Sequence, residues 1–312
     1  MKIASFFLLF VSVYAKIDVH FSSALYGISV DISIGTPAQD LLLRIFNTNS
    51  WPSVVLADRN HFPHGFNPNV SSTFQSTGSY SSGFTGTDRF TIDYQLLNQN
   101  PPLRIVEDFW FDDHDGIFGL ARPTDGSVSF LDVVLSPMDE KVVSFSYDRL
   151  REGWSTFTGI MSIGSKQNER CANDWFLIPE ATAEEQWSMK VDEFSMGKYT
   201  YDQPGVTSVS LDSKFYLPQK YQTQLLQLLD AESVDSVPCN TTLKFVLTVG
   251  DHEFRIGPND YVDHFGEGRF GTCSLHLDFS SDDEFVLPST IFYDYCILFD
   301  YAGLNLGFAT RL

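Results

Sequence analysis

Two polar loops, one in each half of the chain, carry the residues best suited to chemistry. They are the Asn47–Asn49 loop and the Asp212–Lys214 loop, and each follows a short apolar run. The carboxylate of Asp212 can take up and release a proton, so it is a candidate general acid or base. The amide of Asn47 cannot ionise and can only donate and accept hydrogen bonds. The two halves therefore present one carboxylate and one amide at comparable places.

The apolar runs around these loops suggest a faint internal repeat. The first loop is followed later by the apolar run Ile117–Leu120, and the second loop by Phe285–Pro288. Each half thus has a strand-like run that ends in a polar loop, and then a second strand-like run. The spacing alone is weak evidence of duplication, because coincidence among many apolar runs explains it as well.

Other residue clusters predict little chemistry. His61 and His64 flank a proline near Asp58, and a solvated loop is the preferred interpretation over a metal site. The acidic runs Asp112–Asp115 and Ser281–Glu284 lack the glycine spacing of calcium loops and are expected to be solvated. Serines near histidines form no triad pattern, and no G-x-S-x-G is present. We therefore expect neither a metal nor a cofactor.

The first fifteen residues, MKIASFFLLFVSVYA, are typical of a secretory signal peptide. The apolar run Ile3–Val13 is too short to span a bilayer, and cleavage after Ala15 would leave Lys16 as the first residue. An uncleaved anchor is the alternative. We expect a secreted protein that is not inserted in a membrane, with the lysosomal or endosomal lumen as the alternative location.

Cysteines and glycosylation sequons agree with secretion. An even number of cysteines in a secreted chain indicates two disulfides, although spacing cannot choose among the three pairings. No pair of cysteines has the CxxC spacing of a zinc site. The sequons that begin at Asn69 and Asn240 lie in polar, turn-like stretches, where a glycan can be carried. The four cysteines are Cys171, Cys239, Cys273 and Cys296.

The chain of 312 residues has a formal net charge of −20. Such a charge argues against nucleic acid and anionic membranes as partners, because both would be repelled. It is explained either by solubility or by a working compartment near the isoelectric point of about 4.5, where carboxylates are partly neutralised. We expect a monomer.

Composition and periodicity predict a mainly β protein. Apolar residues make up 43% of the chain and phenylalanine occurs 28 times, which favours a globular fold rich in strands. One helix is predicted over Pro218–Asp230, with Tyr221, Leu225 and Leu228 or Leu229 on one face, and a shorter helix over Phe130–Leu135. The predicted strands are Tyr26–Ile34, Leu41–Phe46, Phe90–Tyr94, Val142–Tyr147, Leu243–Val249 and Cys296–Phe299.

Six stretches of the sequence resemble motifs of one protein family and occur in the same order as in that family. They are Tyr26–Gln39, Asn67–Phe74, Ser82–Asp88, Asp115–Ala121, Gly257–Val262 and Tyr295–Ala309. They resemble the opening hairpin, the P-x-x-SSTF stretch, the strand after the flap, DGILGLA, the l-x-P-x-x-Y-V stretch and the final strands of pepsin-type (family A1) aspartic proteases. The match covers nearly all of the mature chain, and we interpret it as the nematode secreted type.

The resemblance implies an all-β, bilobal, pepsin-like fold with a few short helices. After the signal peptide at residues 1–15, the two lobes would be residues 16–160 and 161–312, with a cleft between them. The resemblance also implies that Cys239 pairs with Cys273 and Cys171 with Cys296.

In the family, two aspartates, one from each lobe, share a proton and activate a water molecule. Aligned by the flanking residues, their positions here are Asn47 and Asp212, so one carboxylate is missing. Thr48 and Ser213 keep the hydroxyls that the resemblance implies between the loops. Lys214 either points outward or pairs with Asp212. The flap is short, and Tyr80 is the candidate for its tyrosine.

The resulting hypothesis is a pseudoprotease that binds a peptide, protein or glycan in its cleft without cleaving it. The alternative is an active acid endopeptidase that uses an atypical pair of Asn47 and Asp212. A third hypothesis has the cleft closed and the outer surface used for interaction.

Overall fold

The computed structural model describes residues 16–24, 27–47, 49–57, 65–97, 99–107, 114–124, 126–149, 157–181, 186–211, 215–263, 272–281, 285–287 and 294–312. Predictions that fall on residues 1–15, 26, 48, 58–64, 108–113, 212–214, 282–284 and 288 lie outside the described residues.

Strands make up most of the described chain, which confirms the predicted all-β class. The first twelve are β1 (Ile17–Ala24), β2 (Gly27–Ile34), β3 (Gln39–Phe46), β4 (Ser53–Val55), β5 (Gln75–Tyr80), β6 (Gly83–Thr87), β7 (Phe90–Ile92), β8 (Gln95–Leu96), β9 (Pro102–Val106), β10 (Gly116–Gly119), β11 (Val142–Arg149) and β12 (Phe157–Ile163).

Thirteen further strands follow, and the helices between them are short. The strands are β13 (Phe176–Pro179), β14 (Ser188–Met196), β15 (Tyr199–Val209), β16 (Phe215–Pro218), β17 (Val237–Pro238), β18 (Phe245–Val249), β19 (His252–Ile256), β20 (Val262–Asp263), β21 (Thr272–Leu275), β22 (Leu277–Ser280), β23 (Phe285–Leu287), β24 (Tyr295–Asp300) and β25 (Asn305–Thr310). The helices are α1 (Phe130–Leu135), a 3₁₀ turn (Gln219–Tyr221), α2 (Gln222–Leu229) and α3 (Pro258–Tyr261).

A fifteen-stranded sheet runs through the molecule in the order β13-β25-β24-β11-β12-β1-β2-β3-β10-β4-β9-β6-β5, with β7 attached to β2 and β8 to β7. Both the beginning and the end of the described chain contribute strands to it. Along β3, Leu41, Leu43 and Ile45 are buried and alternate with less buried residues, as a half-buried strand requires. All four residues of β10 are buried.

A second sheet of seven strands, β19-β18-β14-β15-β23-β16-β22, belongs entirely to the second half of the chain. A three-stranded sheet, β17-β21-β20, is formed by strands that lie between β16 and β22 in the sequence. The predicted lobe boundary between residues 160 and 161 falls within β12, and the division into lobes stays a prediction.

The faint repeat of the sequence has a structural counterpart. In the first half, β3 leads to the Asn47 loop and pairs in parallel with β10, with Ile45 opposite Phe118. In the second half, β15 ends at Val209 and pairs in parallel with β23, where Val209 lies opposite Leu287. Each half therefore directs a strand of a parallel pair toward its polar loop.

The short helix over Phe130–Leu135 forms as predicted, since both ends have partners. Ser129 and Asp132 make a capping box at its start. Lys141 Nζ donates to the carbonyls of Ser136 and Met138 at its end, 2.7 and 2.9 Å away.

Three predicted elements were too long. The strand predicted over Leu243–Val249 begins only at Phe245. The predicted helix over Pro218–Asp230 begins as a 3₁₀ turn and ends at Leu229, because Asp230 adopts a left-handed conformation with φ of 52°. The predicted strand over Phe90–Tyr94 ends at Ile92, because Asp93 and Tyr94 have φ values of 46° and 62°. These two residues form the tight turn between β7 and β8.

Both disulfides form the pairs that the resemblance implied. Cys171 and Cys296 have Cα atoms 5.9 Å apart, and this bridge attaches the segment before β13 to β24. Cys239 and Cys273 have Cα atoms 5.0 Å apart, and this bridge joins the turn after β17 to β21. Within the described ranges, no helix is long and apolar enough to cross a membrane.

An aromatic cluster joins the seven-stranded sheet to the fifteen-stranded one. His252 of β19 stacks on Phe176 of β13, with ring centroids 5.1 Å apart, and meets Tyr295 of β24 at 5.5 Å. Phe254, also on β19, lies 4.6 Å from Phe308 of β25. A histidine ring thus takes part in packing that holds the two sheets together.

Replacing His252 with phenylalanine is expected to make stability less sensitive to acid. Burial lowers the pKa of His252, although the charge of Glu253 opposes the shift. A base whose pKa is lowered by folding costs stability as the pH falls below its unfolded value of about 6.5. Thermal unfolding between about pH 7.5 and 5 should show a smaller loss for His252→Phe than for the parent chain. Equal losses of stability in His252→Phe and the parent chain would contradict this. So would an equally reduced loss in His20→Phe, which changes an exposed histidine.

Candidate active site

The Asn47 loop is positioned by the backbone of its own half. Leu120 N donates to Phe46 O and Ala121 N donates to Asn49 O, both at 2.8 Å. These bonds continue the parallel β3–β10 pairing past the end of the strands. The side chain of Asn47 is only 3% exposed, so its polar atoms need partners inside the protein.

The partner of the Asn47 side chain belongs to the other half of the chain. Asn47 Nδ2 donates a hydrogen bond to the carbonyl of Val209, at the end of β15. The amide N–H of Val209 in turn donates to Trp187 O at 3.1 Å. Only a donor can serve at Asn47, because a carboxylate and a carbonyl both accept hydrogen bonds. The residue at the position that resembles a catalytic aspartate therefore makes a hydrogen bond between the two halves of the chain.

The second polar loop is approached by described residues on both sides. Leu211 is buried after β15, and Phe215 N donates to His276 O at 3.3 Å where β16 begins. The structure brings Asn47 against the strand that leads to this loop. Asp212, Ser213, Lys214 and Thr48 lie outside the described residues, so their predicted roles stay predictions.

Tyr80 lies at the end of β5 in the hairpin that β5 and β6 form. Its hydroxyl donates to Ile105 O on β9 at 3.3 Å, and burial raises the pKa of Tyr80 while Arg104 opposes the shift. Gly83, opposite Tyr80, has φ of 151°, and a Cβ there would lie 2.0 Å from Ile105 O. Only glycine therefore lets the hairpin pack so closely on β9. The role of Tyr80 as flap tyrosine stays a prediction.

Sequence reasoning missed an aromatic residue beside the Asn47 loop. The guanidinium of Arg104 lies 5.2 Å from the Trp51 ring, and Arg104 N donates to Pro52 O at 2.8 Å. Trp51 Nε1 is buried without a hydrogen-bond partner among the described residues. An aromatic residue directly after a polar loop was the available signal.

The structure also brings together a serine and a histidine that the sequence did not pair. Ser29 Oγ and His114 Nε2 are 2.6 Å apart. Ser29 is only 7% exposed on β2, so its hydroxyl is not presented to a substrate. We interpret this contact as a core hydrogen bond. In the part of the chain that the structure describes, no group of three or more metal-ligating side chains is close enough to hold a metal ion.

Comparisons with known proteins show which family the chain belongs to. A family model described as "Eukaryotic aspartyl protease" matches residues 27–311. Gastricsin of Callithrix jacchus is 28% identical over 95% of this chain and 84% of its own length. Aspartic protease 17 of Caenorhabditis elegans is 25% identical over 89% and 81%, and pepsin A of Gallus gallus is 25% identical over 94% and 86%. With a match that extends from β2 to the residue after β25, the chain belongs to the eukaryotic aspartyl protease family.

Proposed function

We propose that this protein is a secreted, catalytically inactive aspartic protease homologue that binds a ligand in the cleft between its lobes. A peptide or protein is the first choice of ligand, since the relatives are proteases, and a glycan is the second. The observation that carries the proposal is the hydrogen bond from Asn47 Nδ2 to Val209 O. It uses the position of the first catalytic group for a structural contact that a carboxylate does not make.

The chemistry of paired carboxylates explains why this contact matters. In such a pair one carboxylate stays ionised and draws a proton from water, while the protonated one donates to the substrate carbonyl. Asn47 cannot perform either of these steps, because its amide does not take up or release a proton. Loss of a general acid or base reduces the rate by about 10²–10⁴-fold, and by more where the groups act as a unit.

The second candidate function is an acid endopeptidase with an atypical pair of Asn47 and Asp212. It is favoured by the extent of the family match, since the family model covers residues 27–311. It requires Asp212 to act without a second carboxylate. This candidate predicts cleavage at acid pH that pepstatin blocks.

One experiment separates these functions. Purified protein beginning at Lys16 is incubated with reduced, alkylated lysozyme, an unfolded polypeptide, between about pH 3 and 7, with and without pepstatin. We expect binding in a fluorescence anisotropy titration and no cleavage, for the protein and for Asp212→Asn alike. Pepstatin-sensitive cleavage that Asp212→Asn abolishes would overturn the proposal. If neither binding nor cleavage is observed, the hypothesis of a closed cleft is favoured.

We also propose that the mature chain is a glycoprotein of the nematode secreted type, which its likeness to Aspartic protease 17 of Caenorhabditis elegans supports. Asn69 and Asn240 are exposed, as glycan acceptors must be. Ser71, the third residue of the first sequon, is 9% exposed and its Oγ accepts from Thr36 N at 3.1 Å. That hydroxyl is therefore accessible only before this region folds.

Expression in a eukaryotic secretory host is expected to give a product that begins at Lys16 and carries two N-glycans. Peptide-N-glycosidase F should lower its mass in two steps, and Asn69→Gln and Asn240→Gln should each remove one step. Because the Ser71 hydroxyl is buried on folding, occupancy at Asn69 should be the more sensitive to slow glycan transfer. An unmodified secreted product would contradict this prediction.

A further inference from the structure

The side chain of Arg122 lies between segments from both halves of the chain. Its guanidinium lies over the ring of Trp187, 4.7 Å from the centroid, and its Nη2 forms an ion pair with Glu180 Oε2. The Arg122 side chain is 18% exposed and that of Glu180 is 5% exposed. Burial raises the pKa of Glu180, while Arg122 opposes the shift. This is a charged contact largely removed from water, and sequence reasoning did not single it out.

Arg122 is connected to the Asn47 loop in two ways, through Trp187 and Val209 and through its neighbour Ala121. Trp187 O accepts from Val209 N, and Val209 O accepts from Asn47 Nδ2. On the other side, Ala121 is the direct neighbour of Arg122, and Ala121 N donates to Asn49 O. The path therefore runs from Arg122 through Trp187 and Val209 to the loop, and returns through Ala121.

A third segment of the chain supports the same place. Tyr301 OH donates to Leu120 O at 2.5 Å, and its ring meets that of Trp187 edge-on at 5.2 Å. Burial raises the pKa of Tyr301 far above its ordinary range, so the hydroxyl keeps its proton as a donor. Glu180 is held by its own backbone N–H, which donates to Leu304 O at 3.0 Å.

We propose that Arg122 is a positioning residue, which holds the Asn47 loop against Val209 and makes the joint between the halves one rigid unit. A planar guanidinium suits this place, since it stacks on an indole and pairs with a carboxylate at the same time. A lysine ammonium is a compact point charge and does not stack in this way. The proposal does not require the protein to be inactive, so it stands or falls separately from the proposed function.

Hydrogen exchange at single amides tests the proposal. In Arg122→Gln, the amides of Val209 and Ala121 should exchange at least about tenfold faster, while those of Phe245–Val249 stay unchanged, since β18 is two strands away from β15 in the seven-stranded sheet. Arg122→Lys should lie closer to Arg122→Gln than to the parent chain. The control is Arg170→Gln, which removes one of the two arginines that pair with Asp148 of β11 in the fifteen-stranded sheet. Equal acceleration in that control would overturn the proposal.

A double variant separates positioning from the effect of a stranded charge. Arg122→Gln alone leaves the Glu180 carboxylate buried without its partner, which destabilises a protein by itself. Adding Glu180→Gln removes that charge, so the double variant should regain thermal stability. Its Val209 and Ala121 amides should still exchange fast, since the guanidinium no longer lies over the Trp187 ring. Restored protection at both amides, or a uniform acceleration through the whole chain, would show that Arg122 has no positioning role.

Discussion

Asn47→Asp is expected to destabilise the protein and to leave it without proteolytic activity. The new carboxylate would face the Val209 carbonyl, and two acceptors replace a donor and an acceptor. Because the side chain is buried, the cost near neutral pH should be about 3 kcal/mol. Protonation of the new carboxyl restores a donor, so its pKa should be raised and the loss of stability should shrink as the pH falls. Chemical denaturation at several pH values measures both effects.

Asn49→Asp is the matched control for this substitution. It makes the same chemical change two residues further along the chain. There the hydrogen bond from Ala121 N is accepted by the backbone carbonyl of Asn49, which the substitution keeps. The Asn49 side chain is less buried than that of Asn47, so the loss of stability should be smaller. Pepstatin-sensitive cleavage by Asn47→Asp would contradict the expectation and favour the endopeptidase. It would show that the loop rearranges to present a second carboxylate.

Phe194→Ala is expected to reduce the free energy of unfolding by about 3–5 kcal/mol. The Phe194 ring is fully buried and contacts four other aromatic rings. Their centroids lie 4.8 Å away for Phe285, 5.3 Å for Tyr221, 6.1 Å for Tyr201 and 6.3 Å for Phe245. Removing the ring leaves a cavity between β14 and β23, the strand that pairs with the end of β15. Urea unfolding followed by circular dichroism measures the loss.

Two further substitutions calibrate that result. Phe194→Leu keeps most of the apolar volume and should cost clearly less than Phe194→Ala. Val128→Ala changes a side chain that is 59% exposed, and should stay within about 0.5 kcal/mol of the parent chain. If Phe194→Ala cost no more than Val128→Ala, the rings around Phe194 would not be the core of the seven-stranded sheet.

Local patterns predicted those elements whose causes are local. The alternation of Leu41, Leu43 and Ile45 is visible in β3, and the helix over Phe130–Leu135 has its capping residues beside it in sequence. The turn at Asp93 and Tyr94 was missed, because both residues adopt positive φ values that glycine or asparagine normally takes. The residue types there continue a strand-like pattern, so composition alone does not reveal the turn.

The candidate site was predicted only in part, for a different physical reason. Asn47 was recognised through its neighbours in sequence, but its partner Val209 lies 162 residues away. The same holds for Arg122, whose partners Glu180 and Trp187 are brought close only by the fold. Such contacts depend on which strands meet in the sheets, and periodicity in one segment does not specify that.

The position of β11 in the large sheet determines when this protein can finish folding in the cell. Its neighbours are β12, which follows at once, and β24, where Phe145 lies opposite Ile297. While the ribosome is still making the second half, the edge of β11 that pairs with β24 is open, and Phe145 lacks its ring contact with Phe299. Open edges of this kind invite pairing with other chains. The large sheet is therefore completed at β11 only after β24 has been synthesised.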